Sequence, residues 1–395
     1  METYTFILMP VISAVIGYVT NVLAIKMTFY PLEYKGIKPI LGWQGIIPSK
    51  AGKMAAKAVD LLTRDLFKPK DVFSNLSSDE IVRLTREDFR KMSRSILDSV
   101  LDSKMPGSNT LVGKSVRNNV EAELAKVLPE IVDDTLSKVK DDIDTILDLK
   151  TLAVDTLKDD KALINKIFLD LGGKQFRFIE TSGAWLGFLF GLGQIFTTIY
   201  VNHWVMYVLY GIFIGFITNY LAIKLIFEPT EPHKIGPFVL WGLFLKNQRD
   251  ESFKYADIIA SRIVTPENIF YYIFRSPNSV RTREIMACEI SKAIDKVVSA
   301  LPSLLRIALT NQRLQELKSV TLFQLMNELP LHIKNVYPYM ESALDIRNNI
   351  GEKMSKLPPK RFIDFLRPAF QEDEWKLVAV GAALGGVAGL LQSFI

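Results

Sequence analysis

The chain has 395 residues, 49% of them hydrophobic, and a mean hydropathy of +0.17, which is high for a soluble protein and low for one lying wholly in a membrane. One cysteine, Cys288, excludes an intramolecular disulfide, and three scattered histidines without a paired-ligand spacing argue against a zinc site. The net charge of +5 is accounted for by basic residues flanking apolar segments, so nucleic acid is not an expected partner.

A spanning helix needs about 20 apolar residues, because the hydrocarbon core is ~30 Å thick and a helix rises ~1.5 Å per residue. No charge lies between Glu2 and Lys26, which predicts a span near 4–29 within a first segment, 1–30. A cleaved signal peptide is the other reading. Against it stand Glu2 where a basic residue is expected and the lack of an A-x-A-like site. This segment carries Gly17-Tyr-Val-Thr20-Asn21-Val-Leu23-Ala24-Ile25-Lys26, followed by Phe29 and Pro31.

Residues 31–176 read as a helical soluble insert with few strand signals. Gly36 to Pro48 is apolar but broken by Gly and Pro. It fits either an interfacial segment anchored by Trp43 or a buried loop. Ser49 precedes a periodic run through Ala51, Met54, Ala58 and Leu62, and Ser77 with Glu80 has capping-box spacing. Val116, Val120, Leu124, Val127 and Ile131, then Leu136, Val139, Ile143 and Ile146, advance in threes and fours as in an amphipathic helix. Bundle packing accounts for that face, and a groove holding acyl chains is the sharper alternative. Asp133, Asp134, Asp141, Asp142 and Asp144 read as a solvated face rather than a metal site.

No Asp, Glu, Lys or Arg occurs between Glu180 and Lys224, which leaves room for two spans. They are expected at 182–200, within segment 177–201, and at 204–227, within segment 204–229, divided at Val201-Asn202-His203-Trp204. The opening motif returns 198 residues on as Gly215-Phe-Ile-Thr218-Asn219-Tyr-Leu221-Ala222-Ile223-Lys224, then Phe227 and Pro229. A second insert, 230–374, contains the N-cap signature Thr265-Pro266-Glu267 and a Gly236 to Leu245 stretch with Trp241. The last span is expected at 376–395, within segment 375–395. It repeats, at the same offset, a glycine ladder first seen at Gly183, Gly187, Gly191 and Gln194, now as Gly381, Gly385, Gly389 and Gln392. Trp43 and Trp241 share the offset of 198. Pro69 and Phe73 return as Pro266 and Phe270 at 197, which places the loss of one residue between those pairs.

Self-similarity at a fixed period is the signature of repeated architecture. Basic residues cluster after the first and third spans and before the second and fourth. The positive-inside rule then puts both inserts in the cytoplasm and both termini outside, as a parallel repeat. On a helix at about 100° per residue, Gly17, Thr20, Asn21 and Ala24 share one face with Ser13. Gly211, Gly215, Thr218, Asn219 and Ala222 do likewise, while Lys26 and Lys224 fall opposite and snorkel toward lipid phosphates. The ladders are small-xxx-small surfaces for those faces, with Gln194 and Gln392 on the same side. Two readings stay open for Thr20, Asn21, Thr218, Asn219, Gln194 and Gln392: helix packing, or the lining of a polar pathway.

No GxSxG, phosphate-binding loop or histidine beside a nucleophile occurs. The stretch 17–31, with Gly45-Ile-Ile-Pro48, Phe176-Arg-Phe-Ile179 and the glycine-rich 183–194, resembles a bacterial family of uncharacterised membrane proteins. That family is known as domain of unknown function 445 and uncharacterised protein family 0754. Gly242-Leu-Phe-Leu245 stands in place of Gly-Ile-Ile-Pro in the second half. The resemblance implies an integral protein of the bacterial cytoplasmic membrane and supplies no activity, cofactor or catalytic residue.

The expected fold is an all-α membrane protein. It is read as a tandem parallel duplication, each half a transmembrane helix pair enclosing a large helical cytoplasmic insert. The expected role is non-catalytic and cofactor-free: a membrane scaffold or lipid-handling protein, with lipids and further copies of the chain as partners. The alternative is an oligomeric small-solute or lipid transporter or channel.

Overall fold

A computed structural model describes residues 3–37, 41–104, 111–200, 203–276, 279–300, 306, 310–367 and 374–394. The chain opens with α1 (Thr3–Phe29) and a hairpin of β1 (Lys35–Ile37) and β2 (Leu41–Trp43). Next come α2 (Ile46–Ser49), α3 (Ala51–Asp65), α4 (Pro69–Phe73), α5 (Ser78–Lys104), α6 (Leu111–Asp141), α7 (Ile143–Ile146) and α8 (Leu149–Asp159). Then follow α9 (Lys161–Tyr200), α10 (Trp204–Phe227) and a second hairpin of β3 (His233–Ile235) and β4 (Phe238–Leu240). The remainder is α11 (Leu243–Lys246), α12 (Gln248–Ile258), α13 (Pro266–Arg275), α14 (Val280–Ala300), α15 (Asn311–His332), α16 (Tyr337–Leu344), α17 (Ile346–Ser355), α18 (Pro359–Leu366) and α19 (Glu374–Gln392).

α1, α9, α10 and α19 are long and apolar enough to cross a membrane. α10 matches its expected bounds, and α1 and α19 differ from theirs by one to three residues. α9 differs more. It runs unbroken for 40 residues, about 60 Å, from within the expected insert 31–176 to the end of the second span. No proline interrupts it, so only its C-terminal half is needed to cross the hydrocarbon. Residues 201 and 202 of the expected turn lie outside the described residues. His203 caps α10, its ring accepting from the Val205 amide.

The inserts are not purely helical. Residues 35–37 pair antiparallel with 41–43, and 233–235 with 238–240, each hairpin followed by one helical turn. The register corrects the expected correspondence between the halves. Lys35 pairs with Trp43, whereas His233 pairs with Leu240. Three residues, 38–40, separate the first pair of strands and two, 236–237, the second. By strand register Trp43 corresponds to Leu240 and not to Trp241. The Trp43 indole donates to Met27 O at 3.0 Å, while the buried Trp241 Nε1 has no partner among the described residues.

The helix starts are capped in different ways. Lys50 occupies the N-cap of α3, and the Ser49 hydroxyl turns back to Ile46 O at 2.7 Å. The capping box at Ser77 does not close. Its backbone N–H donates to Tyr339 Oη at 2.6 Å, and the Glu80 carboxylate is taken by Arg83. Thr265 does cap α13, accepting from the Asn268 amide at 3.1 Å, with Pro266 at the first helical position.

The chain divides into two compact units. One comprises residues 1–66, 153–258 and 350–395, and the other residues 67–152 and 259–349. This grouping cuts across inserts read as 31–176 and 230–374, because the second unit draws helices from both. The cause is amphipathicity: a helix with one apolar stripe must cover it, and α6 does so against α5 and α14. Asp142 meets Arg281 at 2.7 Å, and Asp133 accepts from the Ser78 hydroxyl at 2.5 Å, so two carboxylates of the acidic stretch join helices of this unit. Glu289, buried on α14, is held by Lys138 and by Lys292, the latter at 3.0 Å. Burial pushes its carboxyl up, but hydrogen bonds from the two ammonium groups outweigh that and hold it below the usual range.

Candidate functional site

Within the first unit, α1 packs on α9 and α10 on α19, and the two pairs meet where α9 lies on α10, α1 on α19 and α1 on α10. This four-helix arrangement decides what the motif residues face. Ser13, Gly17, Thr20, Asn21 and Ala24 are all buried on α1, and Gly211, Gly215, Thr218, Asn219 and Ala222 on α10. Lys26 and Lys224 are exposed on the opposite side.

The glycines are what let the helices touch. A Cβ on Gly17 would lie 2.2 Å from Gly183 O, and one on Gly187 would lie 2.4 Å from Ser13 O. On the other pair, a Cβ on Gly215 would lie 2.0 Å from Gly381 O, and one on Gly385 would lie 2.1 Å from Gly211 O. Gly191 lies against Pro10 and Ser13, and Gly389 against Tyr207. Backbone meets backbone along both ladders, the contact small residues allow where lipid is the solvent.

The asparagines use that closeness. Asn21 Nδ2 donates to Ile179 O at 2.6 Å, and Asn219 Nδ2 to Leu377 O at 3.0 Å. Each amide thus crosses to the glycine-bearing helix one turn from the first rung of its ladder. Thr20 donates to Gly17 O at 3.2 Å and Thr218 to Ile214 O at 2.8 Å. Thr218 Oγ1 also lies 3.5 Å from Asn21 Oδ1, which joins the two helix pairs at the centre.

The glutamines are placed alike but partnered differently. Ser13 Oγ donates to Gln194 Oε1 at 3.1 Å. The counterpart of Ser13 is Gly211, which has no hydroxyl, and Gln392 Nε2 is buried without a partner among the described residues. A glutamine is tolerated at both positions, but the Ser13 bond across the helices has no equivalent in the second pair.

Sequence reasoning missed Asn165 and Gln175. Asn165 Nδ2 donates to Phe29 O, the last carbonyl of α1, and both side chains are buried. A lone Asn within Leu163-Ile164-Asn165-Lys166-Ile167 was the available signal. Nearby, Phe29, Phe176, Phe227 and Phe244 border an apolar cavity of about 30 Å³, the scale of a water molecule and far below that of an acyl chain. At the same end, Arg367 approaches Glu374 at 3.4 Å and Glu228 at 3.9 Å, and its guanidinium lies 5.9 Å from the Phe227 ring centroid. Among the described residues, no three His, Cys, Asp or Glu side chains cluster as metal ligands would.

No family model matches the chain, and no solved structure matches it. Several curated proteins do. A UPF0754 membrane protein of Microcystis aeruginosa is 28% identical over 137 residues, covering 33% of this chain and 28% of the relative. One from Staphylococcus saprophyticus is 28% identical over 170 residues, covering 34% and 45%. One from Exiguobacterium sibiricum is 36% identical over 93 residues, covering 22% and 25%. The matched segments thus span less than half the length of these relatives. Their names and the four apolar helices agree on an all-α membrane protein, and the resemblance to uncharacterised protein family 0754 read from the sequence is to the family these relatives carry in their names.

Proposed function

We propose that the protein is a non-catalytic membrane scaffold with bilayer lipids as its partners. In this reading it is a tandem parallel duplication in the bacterial cytoplasmic membrane, with both large inserts cytoplasmic and both termini outside. One observation carries it: Asn21 and Asn219 each give the amide to a carbonyl of the neighbouring helix, beside a glycine ladder in backbone contact. Polar groups spent on helix contacts favour a structural role over a polar pathway. The matching contacts of the two helix pairs support the duplication, and the basic flanks of the spans support the orientation.

Reconstituted Asn21→Ala and Asn219→Ala variants separate this from the transporter reading. A scaffold loses thermal stability. If instead the variants melt like the wild type while a solute flux carried by the wild type disappears, the polar residues line a pathway. The lipid-handling form of the proposal expects phospholipid to copurify in stoichiometric amount, and a delipidated but fully folded protein counts against it.

A further inference from the structure

The two hairpins have no role in the helix contacts, and a two-stranded hairpin alone is marginally stable in water. Both expose large apolar side chains: Ile37 at 74%, Val239 at 56% and Leu240 at 39%. Both are also tied to the end of a spanning helix. The Trp43 indole bonds Met27 O in the last turn of α1, and the Gly45 amide donates to Pro31 O at 2.9 Å. The Gly242 amide donates to Pro229 O at 3.0 Å, two residues beyond α10. A Cβ on Gly45 would meet the Phe29 carbonyl carbon at 2.7 Å, and one on Gly242 that of Phe227 at 3.0 Å, so each hairpin is held by backbone contact. Three residues of strand reach about 10 Å, so neither hairpin extends far from the helix end that holds it.

The charge of these segments is one-sided. From Tyr34 to Lys50 and from His233 to Lys246 there is no Asp or Glu, while Lys35 and Lys234 lie exposed within the strands. Exposed apolar strand residues beside lysines, on a backbone fixed to a membrane helix, match a surface that is greasy beneath and anionic above.

We infer that both hairpins dip into the headgroup region of the leaflet at the Lys26 and Lys224 ends of the spans, with Ile37, Val239 and Leu240 among the acyl chains and Lys35 and Lys234 at lipid phosphates. The inference rests on the membrane-spanning reading and goes beyond it, since it adds two points of entry into one leaflet that the spans alone do not make.

The test uses the full chain in vesicles of phosphatidylcholine with phosphatidylglycerol. Spin labels are placed at Ile37→Cys and Val239→Cys in a Cys288→Ser background, with Leu240→Cys as the substitute if Val239→Cys does not fold. A label at native Cys288 reports water, and one at Leu189→Cys, exposed on α9, reports the bilayer interior. Both hairpin labels are expected to show an oxygen-to-nickel-chelate collision ratio several-fold above that at Cys288. That ratio should fall when phosphatidylglycerol is omitted. Hairpin labels that match Cys288 while Leu189→Cys stays high overturn the inference and leave the spans standing. A Leu189→Cys label that also matches Cys288 overturns both. An unchanged ratio in phosphatidylcholine alone overturns the attraction of Lys35 and Lys234 to net anionic lipid.

Discussion

Thr218 Oγ1 stands 3.5 Å from Asn21 Oδ1, one residue from each helix pair, both fully buried. Asn21 therefore touches three helices: it sits on α1, donates to α9 and lies beside the Thr218 hydroxyl of α10, whose proton goes to Ile214 O. Asn219 has the matching bond to α19.

Replacing these amides should loosen the bundle. Asn21→Ala removes two interhelical contacts and Asn219→Ala removes one, at about 0.6–1.7 kcal/mol per interhelical bond. Thermal unfolding in detergent should rank wild type above Asn219→Ala above Asn21→Ala. Equal losses in the two variants would show that the Thr218 contact contributes nothing.

The helices facing the glycine ladders should tolerate no Cβ at their closest contacts. Gly17→Ala and Gly215→Ala each drive a methyl into a carbonyl oxygen, at 2.2 and 2.0 Å, and are expected to cost about 1–3 kcal/mol as the helices separate. A methyl on Gly193 would meet nothing within 4 Å, so Gly193→Ala should be neutral or stabilising by up to about 1 kcal/mol. Equal effects at all three positions would mean that helix propensity, not packing, governs the ladder.

The two glutamines should part company when made apolar. Gln194→Leu strands the Ser13 hydroxyl and is expected to destabilise by about 1 kcal/mol, whereas Gln392→Leu removes a buried amide donor that has no partner among the described residues and should be neutral or stabilising. Chemical unfolding of the two variants side by side reads the difference, and a loss at Gln392 equal to that at Gln194 would refute the asymmetry.

Acid should act on the second unit through Glu289. Its carboxyl is held below the ordinary value in the folded chain by Lys138 and Lys292, so the folded state binds its proton less readily than the unfolded one. The stabilisation is present above the unfolded value of about 4.3 and is lost as pH falls through the lower folded value. Glu289→Gln should flatten the dependence of stability on pH in that acid range, measured by circular dichroism, and an unchanged acid transition would exclude this carboxylate.

The orientation is open to the native thiol. Cys288 is exposed, and both inserts are read as cytoplasmic, so a membrane-impermeant maleimide should label it only after permeabilisation. Labelling in intact cells would invert the topology.

Much of the membrane part was legible in the sequence, because lipid imposes length and polarity on a spanning helix directly. Charge-free runs marked the spans, and the spacing of Gly17, Asn21, Gly183 and Gly187 marked the faces that meet. The strand register was not legible, since Trp43 and Trp241 align as letters while strand pairing puts Trp43 opposite Lys35 and Leu240 opposite His233. Ser77 and Glu80 had capping spacing, but Tyr339 and Arg83 compete for the same groups, and no local pattern reveals a rival 262 residues away.

By itself, then, the sequence determined which segments prefer lipid and which faces carry small and polar groups, because these depend on composition and helical period alone. The tertiary structure decided which of those groups find partners. Ser13 completes Gln194, while Gly211 offers Gln392 no such hydroxyl; α5 and α6 are joined to α13–α15 in one unit; and α9 continues through the expected boundary at 176. Partnership depends on distances between residues far apart in the chain, and those distances exist only once the helices have packed.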